Sequence, residues 1–129
     1  MDAATRAAVR ARAENRCEYC QRPQSTSPLI PLHIEHVIPR KHRGTDGADN
    51  LALACAECNL HKGSDLTGID PDSGQVTPLF NPRRDLWDEH FEWDGLRIVG
   101  HSAVGRTTVR LLQLNAPARL RVRTATGTQ

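Results

Sequence analysis

The sequence predicts a small α+β domain held by a metal site as much as by its core. Two observations carry this. All four cysteines fall in two Cys-x-x-Cys knuckles, Cys17 to Cys20 and Cys55 to Cys58. Of the 129 residues, 38% are hydrophobic and 4% aromatic, so the core is thin for the length. A structural metal helps offset chain entropy that such a core covers only narrowly. The length suits one domain with a small extension.

Short segments alternate with turn-rich stretches. Residues 3–15 are rich in Ala and Arg behind Asp2, which predicts a short helix capped by Asp2. Pro23 to Pro31 reads as a loop. Leu32 to Ile38, with Ile34, Val37 and Ile38, predicts a strand. Arg40 to Asn50 is polar and contains two glycines, so it is a loop. Leu51-Ala-Leu-Ala is an apolar segment leading to the second knuckle, and Asn59 to Asp65 predicts a short helix closing at Thr67-Gly68.

A second section follows. Gln75 to Leu79 and Phe91 to Val99 read as strands, the latter bent in hairpin fashion at Trp93-Asp94-Gly95. Ser102 to Asn115 reads as a helix with Ser102 as N-cap, ended by Pro117. The expected division is therefore residues 1–67, the N-terminal helix plus the knuckle-braced core, and residues 68–129, an α+β extension packed on it.

The net charge of +2 hides an asymmetry. Residues 1–94 contain eleven Lys/Arg and fifteen Asp/Glu. Residues 95–129 contain six arginines and no acid. A basic end of this kind points to a polyanion contact, with a solvated arginine face as the plain alternative. No apolar run approaches a membrane span, and MDAATRAAVRARAENR lacks the apolar core of a signal peptide. The expected compartment is cytoplasmic, where Cys-x-x-Cys pairs favour metal or redox chemistry over disulfides.

Two Cys-x-x-Cys turns supply four thiolates, the ligand set of a structural zinc. A redox dithiol needs one such turn beside a βαβ pattern, and two knuckles argue against it. The 34 residues between Cys20 and Cys55 exceed the roughly 15–20 of a simple four-cysteine finger, so something folded is held between the knuckles.

Glu35-His36, the Gly-containing loop, Asn50-Leu51 and Cys55-Ala-Glu-Cys58-Asn59-Leu-His-Lys62-Gly63 together resemble the HNH endonuclease family. The likeness is to the subgroup whose ββα-metal core is braced by paired knuckles, and it covers roughly residues 15–65. It implies two strands and a helix gripping one divalent cation, Mg²⁺ or Mn²⁺. His36 matches the general base, and imidazoles titrate close enough to neutral pH for that task. Glu35 matches the acidic metal ligand, where many members carry Asp. Asn50 matches the middle Asn that ties the loop and orients the His. Asn59 matches the third position, His or Asn in the family, and would be the second metal ligand. Successive strand residues face opposite ways, so Glu35 and His36 are expected where the strand ends or bulges.

Plainer readings stand beside these. Asn50 in a Gly/Asp loop can be a turn residue, and Asn59 can cap a helix. His33, His42 and His61 read first as surface or packing residues. Arg40, Lys41, Lys62, Arg83, Arg84, Arg106 and Arg110 are candidate phosphate contacts. Trp87 and Trp93 read as a small second core, with base stacking as the sharper alternative.

The resemblance implies hydrolysis of DNA phosphodiesters to 5′-phosphate and 3′-hydroxyl ends, with RNA a third possibility that no residue excludes. The rival reading is a non-catalytic zinc module that binds nucleic acid or protein. No sequence feature sets an oligomeric state.

Overall fold

The architecture grows outward from one hairpin and the helix that follows it. A computed structural model describes residues 1–127. Strands β1 (His33–His36) and β2 (Leu51–Ala54) are antiparallel, pairing His33 with Ala54 and His36 with Leu51. All four β2 residues are buried, which explains a run of Leu and Ala without alternation. Helix α2 (Ala56–Lys62) starts immediately, because Cys55 is its N-cap and the Cys55 sulfur accepts from the Cys58 amide at 3.4 Å. The second knuckle is thus the first turn of α2, which begins earlier than the expected Asn59. The ββα unit is in place.

Ahead of it, α1 (Ala3–Arg12) is capped as expected, with Asp2 Oδ1 accepting from the Thr5 amide at 2.8 Å. The helix stops before residue 15 because Glu14 and Asn15 turn left-handed, at φ 55° and 54°. That turn feeds the chain into the first knuckle.

The extension holds two further antiparallel pairs. Strands β3 (Thr67–Ile69) and β4 (Val76–Pro78) form one; β5 (Phe91–Asp94) and β6 (Arg97–Gly100) form the other. Strand β3 falls where a helix end is expected. Helix α3 (Ala103–Leu111) is capped by Ser102, whose Oγ accepts from the Gly105 amide at 2.9 Å. A Cβ on Gly105 would lie 2.0 Å from the His90 carbonyl oxygen, so only glycine allows this approach.

Pro117 opens a helix as well as following one. It is the first residue of α4 (Pro117–Thr126), a position where its missing N–H costs nothing. The inward residues of α4 are Arg119 and Arg123, so no apolar stripe announces it.

One hydrophobic cluster runs through both sections, from Val9, Tyr19, Leu51 and Leu53 to Phe91, Ile98, Leu112 and Leu114, and includes all four cysteines. The extension is therefore continuous with the core. Phe80 meets Phe91 edge-on at 5.2 Å, and Trp87 packs on Phe91 at 5.1 Å and on Trp93 at 5.8 Å. Trp87 Nε1 donates to the Tyr19 carbonyl at 2.8 Å. Both tryptophans pack inside the fold as the second-core reading expects.

Asp70 is fully buried and takes both arms of Arg106, at 3.0 and 2.9 Å, plus donations from Asp72 N and Ser73 Oγ. These bonds, Arg106 first, hold its carboxyl well below the usual carboxylate range. A depressed carboxylate stabilises the fold above its unfolded pKa, and that contribution fades as pH falls. Asp70→Asn should therefore lower the thermal transition at neutral pH. The gap to wild type should narrow below about pH 4, where the unfolded chain's carboxylates protonate. A pH series of thermal melts on both proteins reads this, and a gap that stays constant into acid would contradict it.

Candidate active site and four-cysteine centre

The four cysteine sulfurs lie within 4.8 Å of one another and are buried. Cys20 and Cys55 sulfurs are 3.7 Å apart. A zinc bound at about 2.3 Å to each of four tetrahedral sulfurs sets them about 3.8 Å apart, so the donor set fits that ion. Burial pushes the Cys17 and Cys58 thiols up, while neighbouring sulfurs, Cys17 first, hold Cys20 down. Arg119 from α4 donates to Cys58 Sγ at 3.0 Å and approaches Cys55 Sγ at 3.6 Å. Its other arm donates to the Leu112 carbonyl at 2.9 Å.

The residues between the first pair of cysteines reach outward. Glu18 Oε2 accepts from the Leu53 amide at 2.9 Å, and its other oxygen pairs with Arg83. The Tyr19 hydroxyl donates to Glu35 Oε1. Glu35 Oε2 lies 3.4 Å from Lys62 Nζ, which also donates to the Val37 carbonyl at 3.0 Å and the His36 carbonyl at 3.3 Å. The three N–H groups of Lys62 thus have three acceptors, which is what permits an ammonium to be buried. Burial raises the Glu35 carboxyl, and Lys62, then Tyr19, oppose that shift.

Glu35 and His36 alternate across a regular strand, and His36 ends it. Glu35 is buried against Tyr19 and Lys62, while His36 is half-buried on the other side. Both still border an open groove of about 420 Å³, with Asn59 and Arg40 among its walls. The Asn59 side chain has no hydrogen-bond partner among the described residues. A hard divalent cation fits this set: an unengaged amide oxygen, and a carboxylate whose oxygens each retain a lone pair.

His36 Nε2 lies 2.7 Å from Asp46 Oδ1, and Arg40 Nη2 reaches the same oxygen at 3.0 Å. The bond from His36, then that from Arg40, holds the Asp46 carboxyl below its ordinary value. With Nε2–H given to Asp46, Nδ1 is left as the acceptor. Sequence reading passes over Asp46, although an acid within the Gly-rich loop that follows His36 was the available signal.

Asn50 clamps that loop. Its Oδ1 accepts from the Ile38 amide, and its Nδ2 donates to the Ile38 and Thr45 carbonyls, each at 2.9 Å. Its own carbonyl accepts from the Val37 amide at 2.9 Å. A Cβ on Gly44 would fall 1.6 Å from the Ile38 oxygen, so the clamp requires glycine there.

The expected phosphate contacts divide. Arg40, Lys41, Arg84 and Arg110 are exposed. Lys62 is 2% exposed and fully engaged, Arg106 is taken by Asp70 and Asp72, and Arg83 is held by Glu18. Those three depart from the expectation, because an internal acceptor already holds each charge. Two arginines of the basic end also turn inward: Arg119 to the sulfurs, and Arg123 to the Leu96 and Leu114 carbonyls beneath Trp93. His33 is exposed and His42 donates to the Ser64 carbonyl at 3.1 Å, in keeping with their plain readings. No helix among the described residues is long and apolar enough to cross a membrane.

Residues 17–65 match the family model described as HNH endonuclease. The chain is also similar to the Septu protein PtuB of Bacillus thuringiensis, with 28% identity over 111 residues. That alignment covers 84% of this chain and 40% of the relative, so the chain spans less than half of that protein's length. No solved structure matches the chain.

The four-cysteine centre makes a two-part prediction. Elemental analysis should find zinc bound by these cysteines, and Cys58→Ser should lose both the metal and the cooperative unfolding transition. Arg119→Met should keep zinc yet lose roughly 3 kcal/mol in denaturant unfolding, the typical cost of stripping one partner from a buried charge pair. An Arg119→Met protein as stable as wild type would refute the second part.

Proposed function

Taking the match of residues 17–65 to the HNH endonuclease family as premise, we propose that the chain is a metal-dependent endonuclease hydrolysing DNA phosphodiesters to 5′-phosphate and 3′-hydroxyl ends. One observation carries this reading: the His36–Asp46 pair borders the same groove as the unengaged Asn59 amide and the Glu35 carboxylate. Zinc at Cys17, Cys20, Cys55 and Cys58 is the brace and takes no part in the chemistry.

His36 Nδ1 accepts the proton of the attacking water. Asp46 keeps the Nε2–H tautomer and bears against the charge that the ring gains. Asn50 holds the loop on which Asp46 stands, and Lys62 fixes the carbonyls at the end of β1. Glu35 and Asn59 would hold Mg²⁺ or Mn²⁺, which supplies charge stabilisation at the scissile phosphate and the leaving 3′ oxygen. Arg40, 70% exposed, can leave Asp46 for a substrate phosphate.

The engaged state of Glu35 favours the rival, a non-catalytic zinc module in which Lys62 is the permanent counter-ion. Plasmid nicking in Mg²⁺, Mn²⁺ and EDTA, with RNA as a parallel substrate, separates the two. His36→Ala and Asn59→Ala should abolish nicking with zinc content unchanged. Asp46→Asn should lower kcat by roughly 10²-fold or more, the scale at which mis-set general bases lose rate. Wild-type protein that binds DNA and never cuts in any metal would establish the rival.

A further inference from the structure

A second concavity lies on the other side of the loop from His36. The loop is a shared wall: Pro39 and Arg40 border the active-site groove, while Ile38, Gly44 and Thr45 line a pocket of about 700 Å³. Its remaining walls come from the end of α1 and from the segment after β4.

The charge in this pocket is one-sided. Arg12, Arg43, Arg83 and Arg84 line it, with Asp49 as the one acid in the lining and Glu18 pairing Arg83. Arg43 and Arg84 are exposed, with no side-chain partner among the described residues. Arg12 gives its two terminal nitrogens to the Ala48 and Leu51 carbonyls, at 2.9 and 2.7 Å, which neutralise no charge. Arg83 lies behind, paired with Glu18 through one nitrogen, while its Nε and Nη1 are buried without a partner. Burial first, and then the nearby Arg83 charge, push Arg12 below its ordinary value, with Glu18 opposing them.

Like charges brought together cost free energy unless an anion offsets them, and unpaired buried N–H groups add to that cost. Planar guanidiniums suit phosphate oxygens. The lining contains no Phe, Tyr or Trp on which a base could stack, so the pocket addresses phosphate and leaves the base unread. A free nucleotide would use only half of its chemistry here, whereas a strand continuing from the groove offers a phosphate and nothing else that needs holding.

We propose that this pocket seats backbone phosphate of the nucleic acid beside the scissile site, with Arg43 and Arg84 as direct contacts and Arg12 supplying charge behind them. The proposal rests on the endonuclease reading for its polymer and on the pocket's own charge for its phosphate. The phosphate-seating charge therefore lies mid-chain, on the HNH loop and the start of the extension.

The test uses full-length zinc-loaded protein in the His36→Ala background, with binding of a fluorescein-labelled duplex followed by anisotropy across a salt series. Arg43→Glu/Arg84→Glu should weaken binding by at least about tenfold and flatten the log Kd against log salt slope by about 2. Arg6→Glu, an equal charge reversal on an exposed face of α1 outside the pocket, should do neither. Zinc content and the thermal transition establish that each variant is folded. Unchanged affinity and slope in the double reversal would overturn the proposal. So would inorganic phosphate or AMP binding that depends on Arg43 and Arg84 while duplex binding does not, since the pocket would then serve a small phosphate ligand. If the double reversal weakens binding as expected but His36-intact protein never nicks, the pocket stands and the endonuclease reading falls.

Discussion

Everything in this molecule hangs on four sulfurs converging at one point. Cys17 and Cys20 follow α1, Cys55 and Cys58 open α2, and Arg119 comes from α4, so three helices meet at a single centre. Four thiolates around a divalent cation carry a net charge of about −2, which is costly to bury without a counter-charge. The Arg119 guanidinium meets that charge, and neighbouring carbonyls take its other hydrogens. In a chain with so few large apolar residues, this centre stands in for a missing part of the core. Its position also decides what the knuckle residues can touch. Glu18 and Tyr19, held between two fixed cysteines, point at the β2 backbone and Arg83 on one side and at Glu35 on the other.

That second reach ties the brace to the candidate active site. Tyr19, Glu35 and Lys62 form a buried chain linking the knuckle, β1 and α2. Lys62 then grips the carbonyls of His36 and Val37, fixing the end of β1 from below. Asn50 fixes the same turn from above through Ile38 and Thr45. His36 sits between two clamps, and its ring is oriented by a carboxylate on the loop that one of them holds. The His36 ring is positioned by the fold and not by its own hydrogen bonds alone, as the proposed role of base would require.

How far the sequence discloses this depends on which force set each element. The knuckles, the ββα order and the caps at Asp2 and Ser102 are local chemistry, and each is legible from spacing and residue type. The aromatic cluster is legible because Trp87, Phe91 and Trp93 have nowhere else to go in a polar chain. Helix α4 is not, because its buried face is Arg119 and Arg123 and hydrophobic periodicity cannot register a helix whose inward residues are cations. Strand β3 is hidden similarly: Thr67-Gly68-Ile69 has no pattern of its own and exists through pairing with Val76 to Pro78. Within the candidate site, His36, Asn50 and Asn59 are named from motif order, whereas the contacts of Asp46 with His36 and of Lys62 with Glu35 and the end of β1 arise only in the folded chain.

Charge is where composition misleads most. Six arginines without an acid after residue 95 look like a polyanion surface. Yet Arg106, Arg119 and Arg123 are consumed by a buried carboxylate, by thiolates and by carbonyls under an indole. An arginine paired with an anion, as Arg106 is, contributes little field outside the protein, because its partner cancels it at close range. Arg43 and Arg84 have no such partner, and they project beside Arg12 and Arg83 from a region where acids outnumber bases overall. Local pairing, and not regional net charge, determines which cations a phosphate can feel. By that criterion Arg97, Arg110 and Arg121 also stay open to solvent on the extension, while Arg43 and Arg84 stand together at the pocket beside the groove, where the endonuclease reading would bring a strand.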